Sequence, residues 1–168
     1  MIRNAIPNDA GAIADIYNHY IENTSITFEE TPLQGVEIAG RITLVHDAGL
    51  PWLVAMEGDA LIGYAYATRW KERSAYRFAV ETTVYVAPGA HGKGIGTALY
   101  EALIDRLKAL KVNSVIGGIT LPNPASIALH EKMGMKKVAH FQAIGFKFDQ
   151  WQDVGYWQLN LLTVPKPD

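Results

Sequence analysis

The 168-residue sequence contains no cysteine, no long hydrophobic run and no large excess of one charge. Without cysteine, the chain has no disulfide, no Cys-ligated zinc, no iron–sulfur cluster and no thiol nucleophile. No apolar stretch approaches the roughly 18 residues that span a bilayer. The first 20 residues also lack the basic-then-apolar layout of a signal peptide. We therefore expect a soluble, cytoplasmic protein with no membrane partner.

The charge balance argues against nucleic acid as a partner. Lysine plus arginine total 15 and aspartate plus glutamate total 17, which gives a formal net charge of −2. Proteins that bind nucleic acid usually present a basic surface instead. With 49% hydrophobic and 19% charged residues, a chain of this length buries a substantial core. We predict a single domain that spans residues 1–168.

The apolar residues switch between the spacing of strands and that of helices. Period-two alternation predicts strands, and spacing at i, i+3 and i+4 predicts helices. Strands are expected at 2–6, 52–56, 60–70, 77–86, 115–120, 138–144 and 156–162. Helices are expected at 9–21 and 34–46, at 122–134, and between the glycine-rich segment described below and about residue 110. The tail at 165–168 is expected to be frayed. Hairpin strands mixed with helices predict an α+β fold rather than a regular βαβ array.

Three glycines, Gly92, Gly94 and Gly96, lie within five residues between a predicted strand and a predicted helix. Glycine lets the backbone adopt positive φ and direct several N–H groups at one point, and a helix start adds further unpaired N–H groups. Such a segment suits phosphate, and Lys93 would add a positive charge. The spacing fits neither a P-loop nor a Rossmann motif, in which a glycine would replace Leu99. A tight strand-to-helix turn without a ligand is the alternative.

Residues 84–86 followed by 91–96 resemble the acetyl-CoA-binding motif of the GNAT superfamily of N-acetyltransferases, with His91 where that motif has Gln or Arg. Residues 123–135 resemble its downstream motif, in which an Asn contacts the pantetheine arm. The resemblance implies a mixed, mostly antiparallel sheet flanked by helices, with a V-shaped opening between strands for acetyl-CoA. It implies acetyl-CoA as co-substrate, no metal, and these cofactor-binding residues: Val84, Tyr85, Val86, His91, Gly92, Lys93, Gly94, Ile95, Gly96, Thr97, Asn123 and Lys132.

Segments 16–19, 81–86, 129–131, 145–147 and 151–159 narrow the resemblance to the phosphinothricin and methionine sulfoximine acetyltransferases. This resemblance implies a homodimer that acetylates the α-amine of methionine sulfoximine, methionine sulfone or phosphinothricin by direct attack. The lack of cysteine agrees with direct attack, because it excludes an acetyl-cysteine intermediate. The alternatives are another acceptor, such as a protein amino terminus, a polyamine or an aminoglycoside, and a CoA-binding protein without activity.

Glu81 and His130 are the candidate catalytic residues. Glu81 is a carboxylate in an otherwise apolar or uncharged strand stretch, and burial can raise the pKa of a carboxyl group toward the range of a general base. The resemblance places the base at this position. It also places a proton donor to the CoA thiolate at His130, where many members have Tyr, with Tyr85 as a second candidate donor. A salt-bridged glutamate and a structural histidine are the alternatives.

We expect an arginine to bind the carboxylate of an amino-acid substrate, because a guanidinium group binds a carboxylate through two parallel hydrogen bonds. The resemblance places substrate contacts in the connection before the catalytic strand, where Arg73 is the first candidate and Arg77 the second. Phe28 is expected to form part of the pocket wall. The alternative is an exposed position or a position in the hydrophobic core. The full set of candidate substrate-binding residues is Phe28, Arg73, Ser74, Tyr76 and Arg77.

Overall fold

The computed structural model describes residues 1–162, so the predicted tail at 165–168 lies outside the described residues. Within that range the chain forms seven strands and four α-helices. In chain order these are β1 (Ile2–Asn4), α1 (Ala10–Asn23), α2 (Gly35–Asp47), β2 (Trp52–Glu57), β3 (Ala60–Arg69), β4 (Ala79–Val86), α3 (Ile95–Ala109), β5 (Ser114–Leu121), α4 (Pro124–Lys132), β6 (Lys136–Lys147) and β7 (Gln150–Asn160). Single 3-10 turns occur at Pro7–Asp9 and Ser74–Tyr76.

The strands form one sheet in the order β1-β2-β3-β4-β5-β7-β6. Neighbouring strands are antiparallel except β4 and β5, which are parallel. These two strands pair over only three residues, from Ala79 opposite Ser114 to Glu81 opposite Ile116. Beyond Glu81 the pairing stops, although β4 continues to Val86 and β5 to Leu121. The predicted mixed sheet with an opening between two strands is therefore confirmed.

Helices cover both faces of the central strands, because successive residues of a strand point to opposite faces and both sets pack in a hydrophobic cluster. In β2, Val54 packs against α1 and α2, whereas Leu53 packs in the cluster that contains α3. The α3 positions Leu99, Leu103 and Leu107 are fully buried, as their four-residue spacing predicts, whereas Leu110, just after the helix, is exposed. No helix within residues 1–162 combines the length and the apolar character that a membrane crossing requires.

The hairpin of β6 and β7 is longer than the sequence predicts. Its strands meet in a two-residue turn at Phe148 and Asp149, which have φ of 52° and 57°. Positive φ at both central residues is the type I′ geometry that suits the twist of paired strands. Glycine or asparagine normally marks such a turn, and neither occurs here. The predicted end of β6 at 144 and the predicted start of β7 at 156 are therefore wrong by several residues.

Candidate active site

A first cavity, with a volume of about 440 Å³, lies between the carboxyl end of β4, the amino-terminal part of α3 and one side of α4. The structure brings together here nearly all of the predicted cofactor-binding residues. Those that line the cavity are Val84, Tyr85, Val86, His91, Gly92, Gly94, Ile95, Gly96, Thr97, Asn123 and Lys132. The cavity therefore lies where the β4–β5 opening meets the glycine-rich segment.

Glycine is needed in this segment for two different structural reasons. Gly92 and Gly94 adopt φ of 78° and 76°, a left-handed conformation that costs other residues strain. Gly94 is also the residue that precedes α3, so the loop turns directly into a helix start with unpaired N–H groups. Gly96 lies inside α3 with ordinary backbone geometry. A Cβ atom on it would be 3.2 Å from Leu129 Cδ2, so glycine allows α3 and α4 to pack closely.

Lys93 is the exception among the predicted cofactor-binding residues, because its side chain does not line the first cavity. Its ammonium group lies 3.5 Å from the Glu57 carboxylate at the end of β2, and 52% of the side chain is exposed. The left-handed turns at Gly92 and Gly94 direct the intervening side chain away from the cavity. What the loop presents to a ligand is therefore its backbone N–H groups.

A second cavity of about 260 Å³ adjoins the first at the point where β4 and β5 separate. Five residues line both cavities: Ile26, Val84, Tyr85, Asn123 and Ser126. The second cavity is enclosed by side chains from α1, β3, β4, β5, α4 and the loop before α2. It brings together Glu81, His130 and Phe28, which are distant in the sequence.

Glu81 is partly buried in the centre of the sheet, at the last paired position between β4 and β5. Burial raises the pKa of its carboxyl group, and the nearby positive charge of Lys71 partly opposes this effect. The β5 backbone passes close to the carboxylate, because a Cβ atom at Gly118 would lie 3.3 Å from Glu81 Oε1. A carboxyl group with a raised pKa, facing a cavity, has the properties that a general base needs.

His130 is buried at the other side of the second cavity, and both ring nitrogens have partners. Nδ1 lies 2.7 Å from the Ser126 carbonyl oxygen, which only accepts, so Nδ1 carries the proton. Nε2 then accepts from the Tyr100 hydroxyl at 3.0 Å, and the Thr82 hydroxyl donates to the Tyr100 oxygen at 2.7 Å. Burial lowers the pKa of His130, which favours this neutral form.

Gly117 makes room for the His130 ring. A Cβ atom at this position would lie 2.5 Å from both Cδ2 and Nε2 of His130. Together, Gly117 and Gly118 let one face of β5 approach His130 and the other face approach Glu81. Adjacent glycines inside a predicted strand are a signal of close approach that sequence reasoning missed.

Among the predicted substrate-binding residues, the structure brings only Phe28 to the second cavity. The exposed connection between β3 and β4 contains the others, and its 3-10 turn directs them to solvent. The Arg77 guanidinium donates to the Ser74 carbonyl oxygen at 3.0 Å and lies 4.6 Å from the Phe78 ring centre. Neither Arg73 nor Tyr76 lines the second cavity.

The second cavity also contains polar residues that sequence reasoning missed. Tyr17 and Thr27 share a hydrogen bond of 2.8 Å between their hydroxyl groups, and Tyr66 and Thr83 line the same cavity. The periodic positions of Tyr17 and Tyr66 indicate only that they are core residues. Within residues 1–162, no group of three His, Asp or Glu side chains has an arrangement that could hold a metal ion.

Comparison with known proteins identifies the family. Residues 13–135 match the acetyltransferase (GNAT) family. The chain is 39% identical to a phosphinothricin N-acetyltransferase of Streptomyces viridochromogenes, over 99% of this chain and 91% of that protein. It is 33% identical to an L-methionine sulfoximine/L-methionine sulfone acetyltransferase of Salmonella typhimurium, over 99% and 98%.

A solved structure gives the same result. It is a GNAT superfamily phosphinothricin acetyltransferase from Sinorhizobium meliloti in complex with acetyl-CoA. That protein is 38% identical, and its fold matches with a TM-score of 0.95 over 100% of this chain and 91% of that chain. The resemblance of the two sequence motifs is thus confirmed over nearly the full length: the chain belongs to the GNAT family of acetyltransferases.

Proposed function

We propose that this chain is a cytoplasmic enzyme that transfers the acetyl group of acetyl-CoA to the α-amine of a small amino-acid analogue. The observation that carries the proposal is the pair of adjoining cavities at the β4–β5 opening, with Glu81 facing the second. The names of the relatives suggest phosphinothricin, methionine sulfoximine and methionine sulfone as acceptors. Acetyl-CoA, an intracellular thioester, supports the cytoplasmic location.

The first cavity suits the acetyl donor. The backbone N–H groups of the loop at Gly92 and Gly94 and the start of α3 match a pyrophosphate. Beyond Glu81, the edge of β4 that faces β5 is unpaired and offers backbone groups to the amides of a pantetheine arm. The Tyr20 hydroxyl donates to the Val86 carbonyl oxygen at 2.6 Å and so fixes this end of the strand.

The second cavity suits the amine acceptor, and we assign Glu81 as the general base. The carboxylate takes a proton from the ammonium group, and the free amine then attacks the thioester carbonyl carbon. The new C–N bond forms and the C–S bond breaks. The nitrogen then loses its second proton to solvent and the departing thiolate takes one, so one proton is released overall. A backbone N–H of β4 beyond Glu81, where pairing with β5 has stopped, stabilises the negative charge on the carbonyl oxygen.

We assign the return of a proton to the thiolate to His130. The Nδ1 proton lies on the side of Ser126, which lines both cavities and whose hydroxyl oxygen is 3.4 Å from Nδ1. The Tyr100 hydroxyl, itself hydrogen-bonded to Thr82, holds the ring from the opposite side. To act, the ring takes a proton from solvent and gives its Nδ1 proton to the thiolate, so it returns to the neutral form and Tyr100 keeps its proton.

We assign the acceptor's carboxylate to Arg73, with Arg77 as the second candidate; both side chains face solvent in the structure, so the proposal requires the side chain to turn toward the second cavity. Lys71, in the same connection, lies close enough to Glu81 to lower its pKa, so the connection runs past the Glu81 end of the second cavity. Arg77 is already occupied by Ser74 and Phe78, which favours Arg73. Arg73→Gln should raise KM for the acceptor more than Arg77→Gln does, while KM for acetyl-CoA stays constant.

The function is tested by an amine panel assayed for release of free CoA. The panel contains methionine sulfoximine, methionine sulfone, phosphinothricin, spermidine, an aminoglycoside and a short peptide. Because the chain has no cysteine, a thiol reagent detects CoA without a background from the protein. Release of CoA with the three analogues supports the proposal. Release only with spermidine, the aminoglycoside or the peptide contradicts it, and so does the absence of release with every amine of the panel.

We further propose a homodimer formed through the β6–β7 hairpin. β6 is an edge strand, and the hairpin carries large apolar side chains that are mostly exposed, including Trp151 at 67% and Ile144 at 55%. An exposed edge strand with apolar side chains favours association. Light scattering should give twice the chain mass, and Trp151→Glu should shift it toward the monomer. A monomer at every concentration tested contradicts the dimer.

A further inference from the structure

The loop of residues 24–33, here called the acceptor loop, forms one wall of the second cavity. Ile26, Thr27 and Phe28 line that cavity. The two ends of the loop are tied to α1, because the Thr24 hydroxyl donates to the Tyr20 carbonyl oxygen at 2.7 Å and Asn18 makes two hydrogen bonds with the backbone of Leu33. The position of the middle of the loop therefore sets the shape of the cavity.

Lys147 of β6 holds the middle of this loop. Only 2% of the residue is exposed, and its ammonium group donates to the Thr27 carbonyl oxygen at 2.9 Å. A lysine is rarely buried unless its charge is compensated. Burial lowers the pKa of Lys147, and the negative charges of Glu30 and Glu29 in the acceptor loop partly oppose this effect. Contact and charge thus both connect the end of β6 to the loop.

Gly145 of β6 provides the space that the Phe28 ring occupies. The residue is buried, and a Cβ atom on it would lie 2.3 Å from both Cε2 and Cζ of Phe28. The ring therefore packs directly on the bare backbone of β6. Any side chain at this position would push the ring along the wall of the second cavity.

We propose that Gly145 and Lys147 are positioning residues for the acceptor: together they fix the acceptor loop and thereby determine which amines fit the second cavity. The proposal rests on the acetyl transfer proposed above and adds to it a determinant of substrate choice. Neither residue lines either cavity, and both act through Phe28 and Thr27. Gly145 and Lys147 are neighbours on one face of the strand, separated by the exposed Phe146.

The kinetic test compares Gly145→Ala and Lys147→Met with two control variants. Gly40→Ala, at a helix position with no atom within 4 Å of the new Cβ, matches the glycine change, and Lys108→Met, at an exposed position, matches the lysine change. For methionine sulfoximine, KM should rise about tenfold in Gly145→Ala, because overpacking displaces the ring, and about fivefold in Lys147→Met, because the loop loses its hydrogen bond. KM for acetyl-CoA should change less than about twofold, and both controls should match the wild type.

A double variant tests whether Gly145 acts through Phe28. Phe28→Ala removes the ring that a Cβ atom would meet. In that background, Gly145→Ala should add less than about a twofold change in KM for the acceptor, whereas in the wild type it adds about tenfold. An effect of the same size in both backgrounds, or an equal rise in both KM values, overturns the proposal.

Hydrogen exchange tests the same point without any activity. The amides of Glu29 and Leu33 donate to side chains that hold the acceptor loop. They should exchange several times faster in Gly145→Ala and Lys147→Met than in the controls, and the amides of α3 should not change. Unchanged exchange at Glu29 and Leu33 contradicts the proposal. If no amine of the panel is acetylated, the proposed function is wrong. The exchange measurement still decides, independently of activity, whether β6 fixes the acceptor loop.

Discussion

The two cavities are adjacent, but the chain builds them in different ways. The walls of the first come mainly from two continuous segments, 84–97 and 123–132, and its glycine-rich part is largely backbone. The second takes side chains from many elements, and its acceptor loop is fixed by residues about 120 positions away in the sequence, as the Lys147–Thr27 contact illustrates. Local turns give the glycine-rich part of the first cavity its shape, whereas the second cavity depends on contacts between many elements. We therefore expect donor binding to tolerate most side-chain changes and acceptor chemistry to tolerate few.

The largest expected effect is that of Glu81→Gln, which separates the two cavities most clearly. The amide cannot take a proton from the acceptor, so kcat should fall by roughly 10²- to 10⁴-fold. KM for acetyl-CoA should stay within about twofold of the wild type, because Glu81 lines only the second cavity. Steady-state kinetics on methionine sulfoximine measure both. Glu57→Gln, an exposed change near the first cavity, is the control. An unchanged rate and pH profile in Glu81→Gln would remove Glu81 as the base.

Gly94→Ala should produce the opposite pattern. Its φ of 76° costs an L-residue roughly 1–2 kcal/mol. If relief of that strain displaces the loop N–H groups, KM for acetyl-CoA should rise about 5- to 30-fold. KM for the acceptor should hardly change. Gly49→Ala is the matched control, since Gly49 has φ of 71° and lies at the end of α2, outside both cavities. It should lower the unfolding temperature similarly without a change in either KM.

The fold could be predicted from the sequence wherever a short segment contains its own signal. The spacing of Leu99, Leu103 and Leu107 gives α3, and Gly58-Asp59 gives the β2–β3 hairpin. The ends of β6 and β7 could not be predicted, because Phe148 and Asp149 adopt positive φ without a turn signature. Their conformation is set by the pairing of two long strands, which is a tertiary effect.

The same division applies to the candidate site. The glycine-rich segment indicates its ligand locally, and most of its predicted residues line the first cavity. In the second cavity, the sequence singled out Glu81 and His130 from a family motif, but it gave no signal for Tyr17 or Tyr66, whose spacing is that of core residues. Lys93 shows the remaining limit, because residue type does not determine the direction in which a side chain leaves a turn.

Lys71→Gln should have a smaller effect, confined to the second cavity and visible in the pH profile. The positive charge of Lys71 lowers the pKa of Glu81, so its removal raises that pKa further. Glu81 accepts a proton only when it is ionised, and activity rises as pH increases through its pKa. The acidic limb of kcat/KM should therefore move to higher pH, with the plateau above it unchanged. Lys108→Gln, at an exposed position, should leave the limb in place. A limb that stays fixed or moves to lower pH in Lys71→Gln contradicts this electrostatic coupling.

The smallest expected effect is that of Lys93→Gln, and it tests whether the first cavity depends on backbone alone. The ammonium group is exposed and lies near Glu57, in an ion pair of a kind that contributes about 0–1 kcal/mol. KM for acetyl-CoA should therefore change less than about twofold at moderate salt. Titration of KM against salt concentration should give the same slope for the variant and the wild type, because no lysine–phosphate contact is lost. A tenfold rise in KM with a shallower salt dependence would mean that Lys93 turns inward onto the phosphates when the donor binds. In that case the first cavity, like the second, would depend on a side chain for its charge.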